Sequence, residues 1–514
     1  MIKTCFVSST SACFEWQNDL PYYFEGEYTV LLNGAPTFCG NTNVFSLFDL
    51  EPNTEYELSV KDREEVVRFR THLETAAISV RDFGAVGDGI SDDSMACQSA
   101  INCMPRGGRL YFPKGTYLTA PLNLKSHITI ELAEGATILG IADKTRYPRL
   151  PGEIKDIRSG EAVHVGTWEG NAVPMHQALL FAEYAEDITI VGRGVIDGNA
   201  EAAGWWVDHR NYEYARPRLM FFNRCNGVRV HGVTVKNSPS WNIHPYFSSN
   251  VDFMDLEVLA PKVSPNTDAI DPEACDRVDI IGCRFSVGDD CIAIKSGKID
   301  IGRKYRKPAN RHTVRNCIMR CGHGAVTLGS EISGGVTHLT VERCVFHETE
   351  RGLRIKSRRG RGESCVIDGV VFENIRMTGV GVPIVINLYY NCCDPDRNSE
   401  YVWSREKLPV DERTPNLGSF TFRNMICEKC QRAATFCDGL PERPIKSITV
   451  ENIAFDFDEN ATPGIPASQD FLKKTCRMGM YMKHIGTLKL KNVSVKGHVG
   501  EELITEDVGE IIRE

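Results

Sequence analysis

From about residue 126 the chain alternates apolar and polar positions in short runs that recur along its length. Ile128-Thr-Ile130, Ile188-Thr-Ile190, Val228-Arg-Val230, Val251-Asp-Phe253, Val278-Asp-Ile280, Leu339-Thr-Val341, Cys365-Val-Ile367 and Ile448-Thr-Val450 share the pattern. Period-two alternation bounded by turn residues predicts β-strands. Most are followed by a turn and a second strand, such as Cys283-Arg-Phe285 or Cys344-Val-Phe346. Val228, Val251 and Val278 are 23 and 27 residues apart, and Leu339 to Val366 is again 27. A repeat of this length marks a solenoid, and two or three strands per repeat predict a right-handed parallel β-helix. A propeller blade of the WD type needs about 40–45 residues, which is longer than this unit. Asparagines and glycines between the runs supply the tight turns.

The first 74 residues read differently. Ala12-Cys-Phe-Glu-Trp16, Glu27-Tyr-Thr-Val-Leu-Leu32, Tyr56-Glu-Leu-Ser-Val60 and Val66-Val-Arg-Phe-Arg70 are short alternating runs broken by turns. This predicts a small β-sandwich over residues 1–74, ahead of a β-helix over 75–514. Leu50-Glu-Pro-Asn-Thr-Glu-Tyr56 resembles the tyrosine-corner signature of fibronectin type III domains, with Trp16 where their early core tryptophan lies. No catalytic constellation falls in this segment, so it is read as a spacer or packing module. Between the two units, Gly84-Ala-Val-Gly87-Asp-Gly89 is not the dinucleotide-binding GxGxxG, and no βαβ pattern follows. A turn is expected here, then Ser91 or Asp92 capping a short amphipathic helix that closes one end of the solenoid.

With 514 residues, 42% of them apolar and 25% charged, the composition is that of an ordinary globular chain. The net charge of −9 argues against a dedicated nucleic-acid binder. Nineteen cysteines are scattered rather than paired, and the one CxxC, Cys427 to Cys430, has no partner at zinc-ribbon spacing, so buried reduced thiols are expected. No run is apolar for long enough to span a membrane. The first residues lack a basic stretch followed by an apolar export core, so the expected location is cytoplasmic.

Four motifs recur on successive coils: Asn266-Thr-Asp268, Gly288-Asp289-Asp290, Gly322-His323-Gly324 and Arg354-Ile-Lys356. Asp268 and Asp289 are 21 residues apart, close to one coil, which puts both on one face. Neighbouring parallel strands lie about 4.8 Å apart, so three carboxylates are expected in one cluster. Like charges that close raise at least one pKa and leave one acid protonated near neutral pH. One protonated and one ionised carboxyl is the equipment of glycosidic-bond cleavage.

These motifs, in this order and with the Asp82-Phe-Gly-Ala-Val-Gly-Asp-Gly89 segment, resemble the polygalacturonases of glycoside hydrolase family 28 over roughly residues 80–500. The resemblance implies a parallel β-helix that hydrolyses α-galacturonide or related pectic linkages with inversion. It also implies that Asp289 is the general acid, that Asp268 and Asp290 activate water, and that His323 supports the acid. Arg354 and Lys356 would bind the substrate carboxylate, and Tyr390 (or Tyr389) would match the subsite tyrosine. Asn266, Lys295 and His244, the last on a strand leading into the site, complete the expected substrate-binding set. Inverting enzymes usually hold their carboxylates about 6.5–9.5 Å apart, whereas stacking on adjacent coils brings them closer.

Two basic groups, Arg303 to Lys307 and Arg351 to Arg361, lie beside the motifs and suit an acidic sugar. Trp168-Glu-Gly170, Gly204-Trp-Trp206, Asn237 to Pro245 and Gly329 to Gly335 resemble bacterial exo-acting members, and Ile188 to Val228 is long enough to hold an insertion. Trp205, Trp206 and Trp241 are read as sugar-stacking or core-anchoring residues alike. The expected partner is therefore a galacturonate-containing pectic oligo- or polysaccharide, with no nucleic acid and no membrane, and the scheme requires no metal or cofactor. The rivals are a rhamnogalacturonan or xylogalacturonan hydrolase, a lyase, and a non-catalytic carbohydrate-binding β-helix.

Overall fold

A computed structural model describes every residue except 158, 208, 211–212 and 392–398. The N-terminal strands are β1 (Ile2–Val7), β2 (Ala12–Trp16), β3 (Tyr23–Leu32), β4 (Ala35–Thr42), β5 (Val44–Leu47), β6 (Glu55–Val60) and β7 (Val66–Arg70). They form two antiparallel sheets, β1-β2-β5 and β4-β3-β6-β7. Phe14, Trp16, Tyr28, Val30, Phe45 and Leu58 fill the space between them. The Tyr56 hydroxyl accepts the Glu51 N–H at 2.8 Å, which pins the turn before β6.

The rest is a parallel β-helix. One inward column runs Ile128, Ile188, Val228, Val251, Val278, His312, Leu339, Val370, Phe420, Ile448, Leu488, each paired in register with the next. Crossovers between parallel strands are right-handed for reasons of strand twist. A second column includes Ile196, Val235, Val258, Phe285, Met319 and Phe346, and a third includes Met220, Ile243, Ile292, Val326, Leu353 and Ile384. The alternation read from the sequence is this arrangement: odd positions meet in a common core and even ones face outward. His312 is the polar member of the first column. Its Nε2 sits 3.2 Å from the Cys275 carbonyl, and burial pushes its pKa down to about 4, so it is neutral there.

The helix Ser94–Cys103 covers one end of the core with Cys97, Ala100 and Ile101. Its cap differs from the expectation. Asp93 is the N-cap residue, yet its carboxylate accepts from Val86 and Gly87 N–H at 2.6 and 2.9 Å instead. Asp92 takes the Ser94 N–H at 3.0 Å. The loop before the helix competes for the capping carboxylate and wins.

The sandwich is docked on the solenoid through buried contacts. Cys13 and Val44 pack on Met254 and Ile281. The buried Glu15 carboxylate accepts from Arg315 and Arg343, each at 3.0 Å. Most cysteines line the solenoid interior; Cys283, Cys317 and Cys344 stack on successive coils, and all described cysteines are free thiols. Cys392 and Cys393 lie outside the described residues. No described helix is long and apolar enough to cross a membrane.

Several excursions leave the coils among the described residues. The stretch from Ile188 to Val228 does carry one, in which Trp205 packs with Tyr147, Ala200 and Ala203. Two others escaped the periodicity. Residues 141–179 fold into three short antiparallel pairs. Residues 458–477 leave the coil before the strand Met478–Lys496 and close on themselves through a Gly464–Thr475 bridge.

Candidate active site

The third sheet carries the motifs. Strands Ile292–Ile294, Val326–Gly329, Arg351–Lys356 and Val382–Asn387 lie side by side in parallel. Their inward residues are Ile292, Val326, Leu353 and Ile384. Facing outward in one register are Ala293, Thr327 and Arg354, and in the next Lys295, Gly329 and Lys356. Ala293 and Gly329 add almost nothing above the sheet, so little side-chain bulk stands on it beside Arg354 and Lys356. The turns entering these strands stack as well: Ala269 donates to the Asp290 carbonyl at 3.1 Å, and His323 to the Asp289 carbonyl at 3.0 Å. Gly324 has to be glycine, because a Cβ there would lie 2.3 Å from Thr327 Oγ1 and 2.9 Å from Asp290 Oδ1.

Asp268, Asp289 and Asp290 each bring an oxygen to within 4.8 Å of the others. They are unequal. Asp290 is fully buried, and its oxygens accept from Arg354 Nη1 at 3.0 Å and Lys356 Nζ at 2.9 Å. Burial alone would push its pKa up, but the Lys356 and Arg354 charges outweigh it and hold the carboxylate ionised. Asp268 is buried with one oxygen unpartnered, and burial, helped by Asp271 and Asp289, pushes its pKa well above the usual range. Asp289 is the most exposed of the three, and its Oδ1 lies 3.0 Å from His323 Nδ1. That hydrogen bond raises the His323 pKa. Three carboxylates this close also have the donor chemistry for a divalent cation, but Lys356 and Arg354 already supply positive charge to one of them.

Beneath this cluster lies a second charged layer. Lys295 Nζ is 3.0 Å from Glu331 and 4.0 Å from Asp271, and it sits 4.5 Å over the Trp241 ring. Burial raises the Glu331 pKa, yet Lys295 and Lys298 bring it to about 2, so this pair is charged. Burial raises Asp271 well above the usual range and Glu273 to about 8, so these two are neutral acids near pH 7. His244 requires a correction. It was expected to touch substrate, but it is fully buried, with Nε2 3.1 Å from Glu273 and Phe221 and Trp241 on its flanks. Its strand register turns it outward, but Glu273 and the stacked Trp241 and Trp168 roof it over, and burial pushes its pKa well below 6.5.

The remaining expected residues separate by environment. Asn266 lies at the rim, accepting from Arg216 at 2.6 Å. Tyr390 has Lys356 Nζ 5.8 Å from its ring centre, whereas Tyr389 is buried under Arg405 at 3.6 Å, so Tyr390 is the tyrosine beside the site. Trp241 stacks on Trp168 at 5.7 Å, with the Arg218 guanidinium 4.3 Å from its ring, and Trp205 is wholly buried. Both act as anchors. The basic stretch also divides: Arg354 and Lys356 reach the aspartates, while Arg358, Arg359 and Arg361 are buried, Arg359 on Glu442 at 2.6 Å. Arg303 is tied to the Gly360 carbonyl at 3.1 Å.

Two groups of site residues were missed. Asp271, Glu273 and Glu331 were readable only as turn or strand acids. Ser468 comes from the 458–477 excursion, where no periodicity marks a position, yet its Oγ accepts from Arg354 Nη2 at 3.1 Å.

Comparison with known proteins places this geometry. The profile "Glycosyl hydrolases family 28" matches residues 124–400, and one described as "Rhamnogalacturonase A/epimerase, pectate lyase-like" matches 77–133. A "probable polygalacturonase" of Vitis vinifera is 31% identical over 405 residues, 76% of this chain and 77% of the relative. An "exo-poly-alpha-D-galacturonosidase" of Dickeya chrysanthemi is 24% identical over 432 residues, covering 74% of this chain and 68% of the relative. Among solved structures, the family 28 exopolygalacturonase of Yersinia enterocolitica aligns with TM-score 0.70 at 19% identity, over 99% of this chain and 98% of that one. The hyperthermoactive exopolygalacturonase of Thermotoga maritima aligns with TM-score 0.65 at 27% identity, over 83% and 93%. These relatives overturn the cytoplasmic location expected from the first residues, because plant and bacterial polygalacturonases are generally extracellular enzymes.

Proposed function

The chain belongs to family 28 of the glycosyl hydrolases, and from that premise we propose that it hydrolyses galacturonan, releasing galacturonate from chain ends. The observation that carries this reading is the aspartate cluster: three carboxyl groups in contact, one held ionised by Arg354 and Lys356 and one favoured neutral by burial. That division leaves one carboxylate ionised to act as base and keeps a proton within the cluster for an acid to use at one glycosidic bond. The exo-acting reading rests on the exo-acting relatives.

In the proposed reaction Asp289, the aspartate nearest solvent, protonates the leaving oxygen. Asp290 and Asp268 face the attacking water, and Asp290 is the permanent anion of the two. Because burial favours the protonated form of Asp268, Asp290 is the carboxylate able to take the proton of water, and Asp268 orients that water while competing with Asp289 for the proton the acid needs. One proton is thus shared by the cluster and belongs to it as a whole. His323, 3.0 Å from Asp289 through Nδ1, orients the acid. Arg354 and Lys356 hold the sugar carboxylate, and Tyr390 and Asn266 border the same site. Inversion fits the family resemblance; the short carboxylate separations then require the water to enter beside Asp290 and not between two distant acids. Residues 1–74 are read as a fibronectin type III-like unit and 75–514 as the catalytic solenoid, a division supported by the three- and four-stranded sheets and the Tyr56 corner.

A product time course on trigalacturonate and polygalacturonate, with reducing ends and absorbance at 235 nm followed together, tests the reading. Early galacturonate monomer without an absorbance rise is expected. Mixed oligomers would make the enzyme endo-acting, and a rise at 235 nm would make it a lyase. Asp289→Asn is expected to lower kcat by about 10²–10⁴-fold; an unaffected rate would remove Asp289 from the role of acid.

A further inference from the structure

The Arg354 guanidinium is shared between two partners that come from opposite parts of the chain. Nη1 donates to Asp290 Oδ1 at 3.0 Å, and Nη2 donates to Ser468 Oγ at 3.1 Å. Asp290 alone would leave the plane free to swing about that single bond. Ser468 supplies the second point, and two points fix a planar fork.

Ser468 is itself held. Its carbonyl accepts from Asn387 Nδ2 at 3.0 Å and from the Asn391 N–H at 3.2 Å. Asn387 lies in register beside Lys356 on the next strand, so the serine is referenced to the strand that carries the second cation. Its neighbours hold the excursion down on either side: Gln469 donates to Asp438 at 3.1 Å, and Asp470 accepts from Asn391 at 2.9 Å. Two and three residues before Ser468, the Pro466 and Ile465 carbonyls face Arg351 at 3.5 and 3.4 Å. Among the described residues the excursion thus meets Arg351 and Arg354 through hydrogen-bond acceptors, and Ser468 is the one bonded to Arg354.

We infer that Ser468 is a positioning residue for substrate recognition: through its hydroxyl it aims the Arg354 guanidinium at the carboxylate of the bound galacturonate. This rests on the proposed function, and it assigns a role at the site to the 458–477 excursion, which lies outside the coil repeat. Losing the hydroxyl leaves Asp290 paired with Lys356 and Nη1 of Arg354, so the chemical step keeps its base while the carboxylate-binding fork loses its aim. The effect should fall on binding, and on binding of the charged sugar in particular.

The test compares wild type, Ser468→Ala and Ser468→Thr on trigalacturonate and on its methyl-esterified form. For Ser468→Ala, KM for trigalacturonate is expected to rise by about tenfold, the scale of one hydrogen bond to a charged group, with kcat within about twofold. The preference for the free acid over the ester should shrink by a similar factor, and Ser468→Thr should restore both. A purely structural role would lower kcat and the thermal midpoint together and leave the acid-over-ester preference intact, which would overturn the inference. Unchanged KM in Ser468→Ala would overturn it as well. If the wild type turns over neither substrate, the proposed function fails first, which is a separate and visible result.

Discussion

Lys356→Met removes one of the two cations that keep Asp290 ionised. The pair lies at 2.9 Å, with side-chain exposures of 10% for Lys356 and 0% for Asp290. At an effective dielectric of about 20, two unit charges at that distance attract by about 6 kcal/mol, or about 4 pH units of carboxylate pKa. Arg354 stays on the other oxygen, and water entering the vacated space returns part of the loss, so the Asp290 pKa is expected to rise by part of that amount. The sign follows from the direction of the native shift. A carboxylate whose pKa is depressed acts as base above that pKa and fails as pH falls through it. Raising the pKa makes the failure begin at higher pH. In kcat/KM against pH on trigalacturonate, the acid limb of Lys356→Met should therefore begin at higher pH than in the wild type, while Lys356→Arg, which keeps the charge, should leave it near its native place. A uniform drop in rate with the acid limb unmoved would refute the reasoning: Lys356 would then serve binding alone, and Asp290 would not be the base whose ionisation limits the reaction.

Three other outcomes follow from the same structure. His323→Asn removes a group whose pKa is raised by Asp289; because its cationic form is lost as pH rises through that pKa, the alkaline descent of kcat/KM above pH 6.5 should vanish in the variant, and its persistence would assign that limb elsewhere. Glu331→Gln strands the buried Lys295 ammonium and is expected to cost about 3–5 kcal/mol in urea unfolding, most of it recovered in Glu331→Gln/Lys295→Met; an unmoved midpoint would show that Asp271 suffices as partner. Glu15→Gln leaves Arg315 and Arg343 facing each other at the sandwich–solenoid junction, so amide exchange in residues 2–70 should accelerate while trigalacturonate turnover is kept; equal exchange in variant and wild type would show that the apolar contacts alone hold the docking.

The sandwich docking bears on how the chain is read. Its strands and the Tyr56 corner were visible as short alternating runs, but the surface it uses was not. Glu15 alternates with apolar neighbours like any edge residue, and only the partner coil, 300 residues away, makes it a buried acceptor. The cap of the first helix shows the same limit on a smaller scale. Three consecutive polar residues, Ser91 to Asp93, all suit a cap, and the choice among them was made by the loop at Val86 and Gly87.

The site divides along the same line. In a solenoid one coil of sequence is one step in space, so motifs separated by a coil length meet whatever else the chain does. That is why Asp268, Asp289, Asp290, His323, Arg354 and Lys356 could be brought together from spacing alone. Alternation also settled which strand positions face the core. It could not say whether an outward position opens to solvent or is roofed over, and there the reading of His244 failed: Glu273 and the Trp168 excursion cover it. Nor could it reach residues on excursions, whose lengths follow no repeat. Ser468 meets Arg354 across 114 residues, and Lys295 meets Glu331 across 36. The strand period, the coil length and the order of the acids were properties of the sequence by itself. The ionisation of each acid and the aim of the arginine were decided only by tertiary structure, because burial and the distance to a neighbouring charge exist only once the coils and their excursions have packed.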